Sequence, residues 1–165
     1  VVCDSGPFIH LSSVNHFYLL KEFFQEVEIN QIVYDEVVTE GKLRPGEKEL
    51  KEGLEQGWIM LAKIKDLSLI DKVIHEGLSQ KDASVIALAL ERKAEILVSD
   101  DPHVREAVSA RRLKITGTIG ILTHAKLKGF IPDLKTLLDK LVDQGFRLEP
   151  QGTVYKEALQ RAGEL

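Results

Sequence analysis

Apolar positions along this chain follow two rhythms. Short, mostly apolar runs at Val1–Cys3, Val27–Ile29, Trp58–Leu61, Ile96–Ser99 and Lys114–Thr116 read as brief strands. Between them, apolar residues return every three or four positions, which predicts amphipathic helices. After Val1–Cys3, Ser5 is a candidate cap and Pro7 suits a first turn, with Phe8, Ile9, Leu11 and Val14 as the apolar face. Asn15 is a second candidate cap, before a helix over His16–Gln25. Further helices are expected over 31–40, 47–56, 66–76, 80–93, 102–110, 119–128, 134–142 and 154–162, several of them closed by a glycine. KLRPGEK, starting at Lys42, reads as a loop. Short strands alternating with helices imply an α/β fold, a largely parallel central sheet flanked by helices on both faces.

Length and composition change this picture little. A chain of 165 residues fits one domain, 1–165, with a helical extension over about 150–165. A 44% hydrophobic, 29% charged composition is that of a folded globular chain. No apolar run nears the ~20 residues of a membrane span. The opening VVCDSG has no basic or long apolar leader, so no secretory signal is expected, and the lack of Met suits a trimmed start. A lone cysteine, Cys3, reads as a small buried strand residue and suits a reducing cytoplasm. The net charge of −4 does not advertise nucleic-acid binding. Yet six basic residues stand against one acid between Arg105 and Lys128, a local face able to attract phosphates.

The chemistry lies in where the acids fall. In open parallel sheets function gathers at the carboxyl ends of the strands. Asp4 follows the first expected strand, and Asp100 and Asp101 follow Ile96–Ser99. Asp82 opens the helix QKDASVIALALE one turn before Val85 and Ile86, so it points along the buried face. Glu36, in QIVYDEVVTE, shares a face with Ile32, Val33 and Glu40, while Asp35 and Glu40 look towards solvent. For Asp4, Asp82 and Asp101 helix capping is the competing role. If these acids converge, their repulsion calls for a cation, and an all-oxygen site suits Mg²⁺ or Mn²⁺. None of the five histidines lies in a metal-ligand pattern. GTIG at 117–120 could offer backbone N–H groups to a phosphate, although a tight turn explains it more simply.

Taken together these segments resemble PIN-domain proteins. VVCDSGPFIHL resembles the opening that carries their first acid, here Asp4; VYDEV the segment carrying Glu36; KDASVIALALE the one carrying Asp82; and ILVSDDPHVREA the last acidic motif, with Asp100 and Asp101. GTIGILTHAKLKGFI is similar to a prokaryotic branch long left as a domain of unknown function and related to virulence-associated protein C toxins. That branch usually has Gly-Glu where this chain has Lys81-Asp82. The resemblance implies a three-layer α/β fold and metal-dependent RNA cleavage with Mg²⁺ or Mn²⁺. Asp4, Glu36, Asp82 and Asp100 or Asp101 would form the catalytic set, with Asp4, Asp82, Asp100 and Asp101 as metal ligands. It also implies a homodimer and an antitoxin partner. Leu19, Phe23 and Phe24 give the second helix more apolar surface than one core face needs, which suits such a dimer. Ser5 and Ser99 are placed to tune the acids by hydrogen bonds. The competing functions are a non-catalytic PIN-like module that binds RNA or protein, and a phospho-receiver. Receivers carry an acidic pair after the first strand, whereas the pair here comes late.

Overall fold

The computed structural model describes residues 1–75 and 77–165. Its centre is a sheet of five parallel strands in the order β3-β2-β1-β4-β5. The strands are β1 (Val2–Cys3), β2 (Val27–Ile29), β3 (Ile59–Leu61), β4 (Ile96–Val98) and β5 (Lys114–Thr116). Helices cover both faces, giving three layers. β1, β2 and β4 read as nearly unbroken apolar runs because helices bury both sides of them: Cys3, Val27, Ile29, Leu97 and Val98 are fully buried.

Three helices carry the residues that matter most. α1 (Ser5–Ser13) leaves β1 directly. α3 (Gln31–Tyr34) follows α2 (Tyr18–Phe24) and β2, and runs on into a π-helical segment, Asp35–Thr39. α6 (Gln80–Glu91) comes after α4 (Glu47–Glu55) and α5 (Ser68–Ile74), and is buried along most of its length from Asp82 to Ala89. Its Ala and Val positions allow close approach to the sheet. The remaining helices are α7 (Pro102–Ser109), α8 (Thr118–Leu127), α9 (Leu134–Asp143) and α10 (Thr153–Arg161). α10 packs on α8 and α9, with Tyr155 and Leu159 buried.

Several local expectations are corrected. The cap of α1 is Asp4, not Ser5: the Asp4 carboxylate accepts the Ser5 N–H, and Ser5 is the first helical residue. Asn15 caps nothing; it sits in the left-handed region (φ 61°), and α2 begins only at Tyr18. Asn tolerates that conformation because its short amide bonds locally. The helix expected over 66–76 is Ser68–Ile74, and Glu76 lies outside the described residues. Leu19 is wholly buried within the protomer, so it offers no surface to a second copy, and Phe23 and Phe24 are partly buried against the same core.

Candidate functional site

The strand order reverses direction at β1. From β1 the chain moves outward to β2 and β3, then crosses back to β4 beside β1. Such a switch point leaves a crevice at the carboxyl ends of the strands, where helices depart in opposite directions. Asp4 follows β1 and Asp100 follows β4, so both border it. The Asp4 N–H extends the ladder by donating to the Val98 carbonyl (2.8 Å).

Asp4 is only 3% exposed. Its Oδ1 accepts the Ser5 N–H (2.8 Å) and its Oδ2 accepts the Ser99 hydroxyl (2.9 Å). Burial pushes its carboxyl above the ordinary aspartate range; nearby Lys81 and the Ser5 and Ser99 hydrogen bonds oppose this, and Asp82 adds to it. Asp4 therefore caps a helix and is also a desolvated carboxylate in an electrostatic group, two roles that the sequence set against each other.

Lys81 and Asp82 enter from the first turn of α6, which Ser79 caps by accepting the Asp82 N–H (3.1 Å). The Lys81 ammonium lies 2.9 Å from Glu36 Oε2 and 4.0 Å from Asp4 Oδ1. Glu36 reaches it from the π-helical segment, where the Glu40 N–H bonds to the Asp35 carbonyl five residues back. That extra residue per turn changes which side chains share a face, a device common at functional sites. Burial draws the Lys81 ammonium down, but Asp4 and Glu36 outweigh it and hold it above the ordinary lysine range. Asp82 is 8% exposed, and its carboxylate takes no hydrogen bond and makes no ion pair among the described residues.

The adjacent acids of the last motif behave differently. Asp101 caps α7, accepting the His103 N–H (2.8 Å). Asp100 turns inward: its Oδ1 accepts the Thr118 N–H (2.6 Å), and its Oδ2 meets the Thr118 hydroxyl (2.6 Å) and His10 Nδ1 (2.7 Å). Asp100 thereby serves as the cap that Gly117 lacks at the start of α8. Within GTIG the Thr118 N–H is not open to an outside phosphate, because the chain's own Asp100 carboxylate takes it. Among the expected site residues, then, Asp4, Glu36 and Asp82 gather around Lys81. Asp100 borders them through Ser99 and Gly6, while the Asp101 carboxylate caps α7. Sequence reasoning assigned no role to the side chains of Lys81, His10 or Thr118. A signal existed for His10, one turn after Gly6, and both face Asp100.

From Asp100 a cleft of about 880 Å³ runs between α7, α8, α10 and residues 146–149. Arg105, Arg147 and Arg161 line it, and none of their guanidinium groups has an ion pair or hydrogen bond among the described residues. Glu149 and Glu157 share the lining.

A hard dication would find suitable donors here: oxygen ligands only, a desolvated Asp4 and an unpartnered, nine-tenths buried Asp82. In position the match is incomplete. Among the described residues no three His, Cys, Asp or Glu side chains stand close enough together to hold one ion, and the cation next to Asp4 is the Lys81 ammonium. No described helix is long and apolar enough to cross a membrane. A family model described as a PIN domain matches residues 1–164. No curated protein matches the chain.

Proposed function

Because this chain belongs to the PIN-domain family, whose members are generally nucleases that use divalent metal ions, we propose that it is a metal-dependent endoribonuclease that hydrolyses RNA phosphodiester bonds at the β1–β4 crevice. The observation that carries this reading is the unpartnered Asp82 carboxylate buried beside the desolvated Asp4. A bound cation would offset the repulsion between these two neighbouring acids. Asp4 and Asp82 would hold the ion, with Glu36 and Asp100 bordering it; Asp101 holds α7 in place. Bound Mg²⁺ or Mn²⁺ would supply water activation and charge neutralisation on the phosphodiester. Ser5 and Ser99 fix the two oxygens of Asp4, so its carboxylate is oriented before substrate arrives. The three unpaired arginines favour a polyanion along the cleft that ends at Asp100.

The test is cleavage of a labelled single-stranded RNA with Mg²⁺, Mn²⁺ or EDTA. Wild type should cleave only with metal, and Asp4→Asn should lose activity by about 10²-fold or more, since outer partners of a metal alone are worth 10–100-fold. Full metal-dependent activity in Asp4→Asn refutes the assignment. The resemblance further supports a cytoplasmic toxin restrained by an antitoxin protein and acting as a homodimer. Induced expression should then arrest growth with wild type but not with Asp4→Asn.

A further inference from the structure

The acids at the crevice already have a cation between them. Lys81 Nζ bonds Glu36 (2.9 Å) and stands 4.0 Å from Asp4 Oδ1, so one ammonium joins the residue after β1, the π-helical segment and the first turn of α6. Asp4, Glu36 and Asp82 carry three formal negative charges, and Lys81 cancels one. The remainder is the charge that a single divalent ion neutralises.

We propose that Lys81 is a tethered cation that occupies part of the metal position, so that an ion loads only by displacing it and the site takes a single ion weakly. This rests on the nuclease reading for what the ion is used for, but not for whether Lys81 competes with it. The geometry supports competition rather than cooperation. An ammonium and a dication repel, and both seek the Asp4 carboxylate, whose Oδ1 is held by the Ser5 N–H and whose Oδ2 by the Ser99 hydroxyl, both buried in the core. Displacement is open to Lys81, because its side chain is 34% exposed and flexible, whereas Asp4 is fixed. Glu36, at 27%, can follow it or turn to the ion.

The experiment is calorimetric titration of the full chain, stripped of metal, with MnCl₂. Lys81→Gln keeps length and polarity but removes the charge. It should bind Mn²⁺ at least about tenfold more tightly than wild type, because the repulsion is gone. Its metal-free melting temperature should fall, as three acids lose their internal counter-charge. Lys81→Arg should stay within about twofold of wild type, since it keeps the charge. Lys51→Gln, on the remote Glu47 pair, should change nothing. A merely structural lysine would give equal or weaker binding in Lys81→Gln, and that result overturns the proposal. Should Lys81→Gln fail to fold, wild type decides alone: Mn²⁺ should raise acetylation of Lys81 by an amine-reactive ester, read by mass spectrometry, and unchanged or reduced labelling overturns the proposal. Metal-dependent RNA cleavage without tighter binding in Lys81→Gln sinks this inference and leaves the nuclease reading intact. Tighter binding without RNA cleavage by wild type does the reverse.

Discussion

At the scale of single residues the telling contrast is between Asp4 and Asp101, both helix caps. Asp101 bonds one N–H at a partly exposed turn, and Asn would cap there nearly as well. Asp101→Asn should therefore keep both RNA cleavage and the melting temperature close to wild type, and a large loss of cleavage would reassign Asp101 to the chemistry. Asp4 is different because burial holds its folded-state carboxyl above the unfolded value. The folded chain then binds a proton more readily than the unfolded one. Stability from Asp4 is present at low pH and is lost as pH rises through the folded value. Urea midpoints of the metal-free protein should show this slope on the alkaline side of the ordinary aspartate range. Asp4→Asn should flatten it and give an equal or higher midpoint at neutral pH. A clearly lower midpoint for Asp4→Asn would mean that the charge is needed structurally.

The element scale turns on how α8 begins. Its N-cap, Gly117, has no side chain, and the Asp100 carboxylate from the neighbouring loop bonds Thr118 instead. A negative group at that end also meets the positive pole of the helix dipole. Glycine is required by close approach rather than by backbone conformation: a Cβ there would lie 2.6 Å from Asp100 Oδ1 and 2.9 Å from the Ser99 carbonyl oxygen. Gly117→Ala should cost about 1–3 kcal/mol, the usual range for overpacking. It should also weaken RNA cleavage by pushing Asp100 and Ser99 from their places. Denaturant unfolding read beside activity checks this, and an alanine variant of wild-type stability would show that the start of α8 has room for a Cβ.

At the scale of the whole molecule two ligands are expected, on adjoining surfaces. Millimolar Mn²⁺ or Mg²⁺ should raise the melting temperature, because an ion that binds only the folded crevice stabilises it by mass action. No shift at such concentrations would count against the site. An RNA strand in the cleft would meet Arg105, Arg147 and Arg161. Replacing all three with Gln in metal-free protein should weaken single-stranded RNA binding and lower the salt slope by about 2, at roughly 0.7 per phosphate contact. An unchanged slope would place the RNA elsewhere. The acid-to-base balance of the chain gives no hint of this surface, since the net charge is −4 and the arginines come from three separate segments.

Periodicity and strand-end position settled the strands, nearly all the helices and the edge where the acids lie, because those features follow from local spacing and the parallel-sheet rule. Asp4 stood out on that basis; Asp82 and Glu36, which lie on helices, stood out only through the family resemblance. The division of labour between Asp100 and Asp101 did not stand out. Adjacent residues leave a strand end in opposite directions, and only the position of α8 and His10 shows which carboxylate turns inward. Lys81 was invisible for a similar reason. Glu36 lies 45 positions earlier and Asp4 earlier still, so no local pattern joins them. The switch-point crossover and the π-helical turn brought them within reach of one ammonium. Local sequence determines which groups a strand or helix can present; long-range packing decides which of them meet, because charge interactions depend on distance in space.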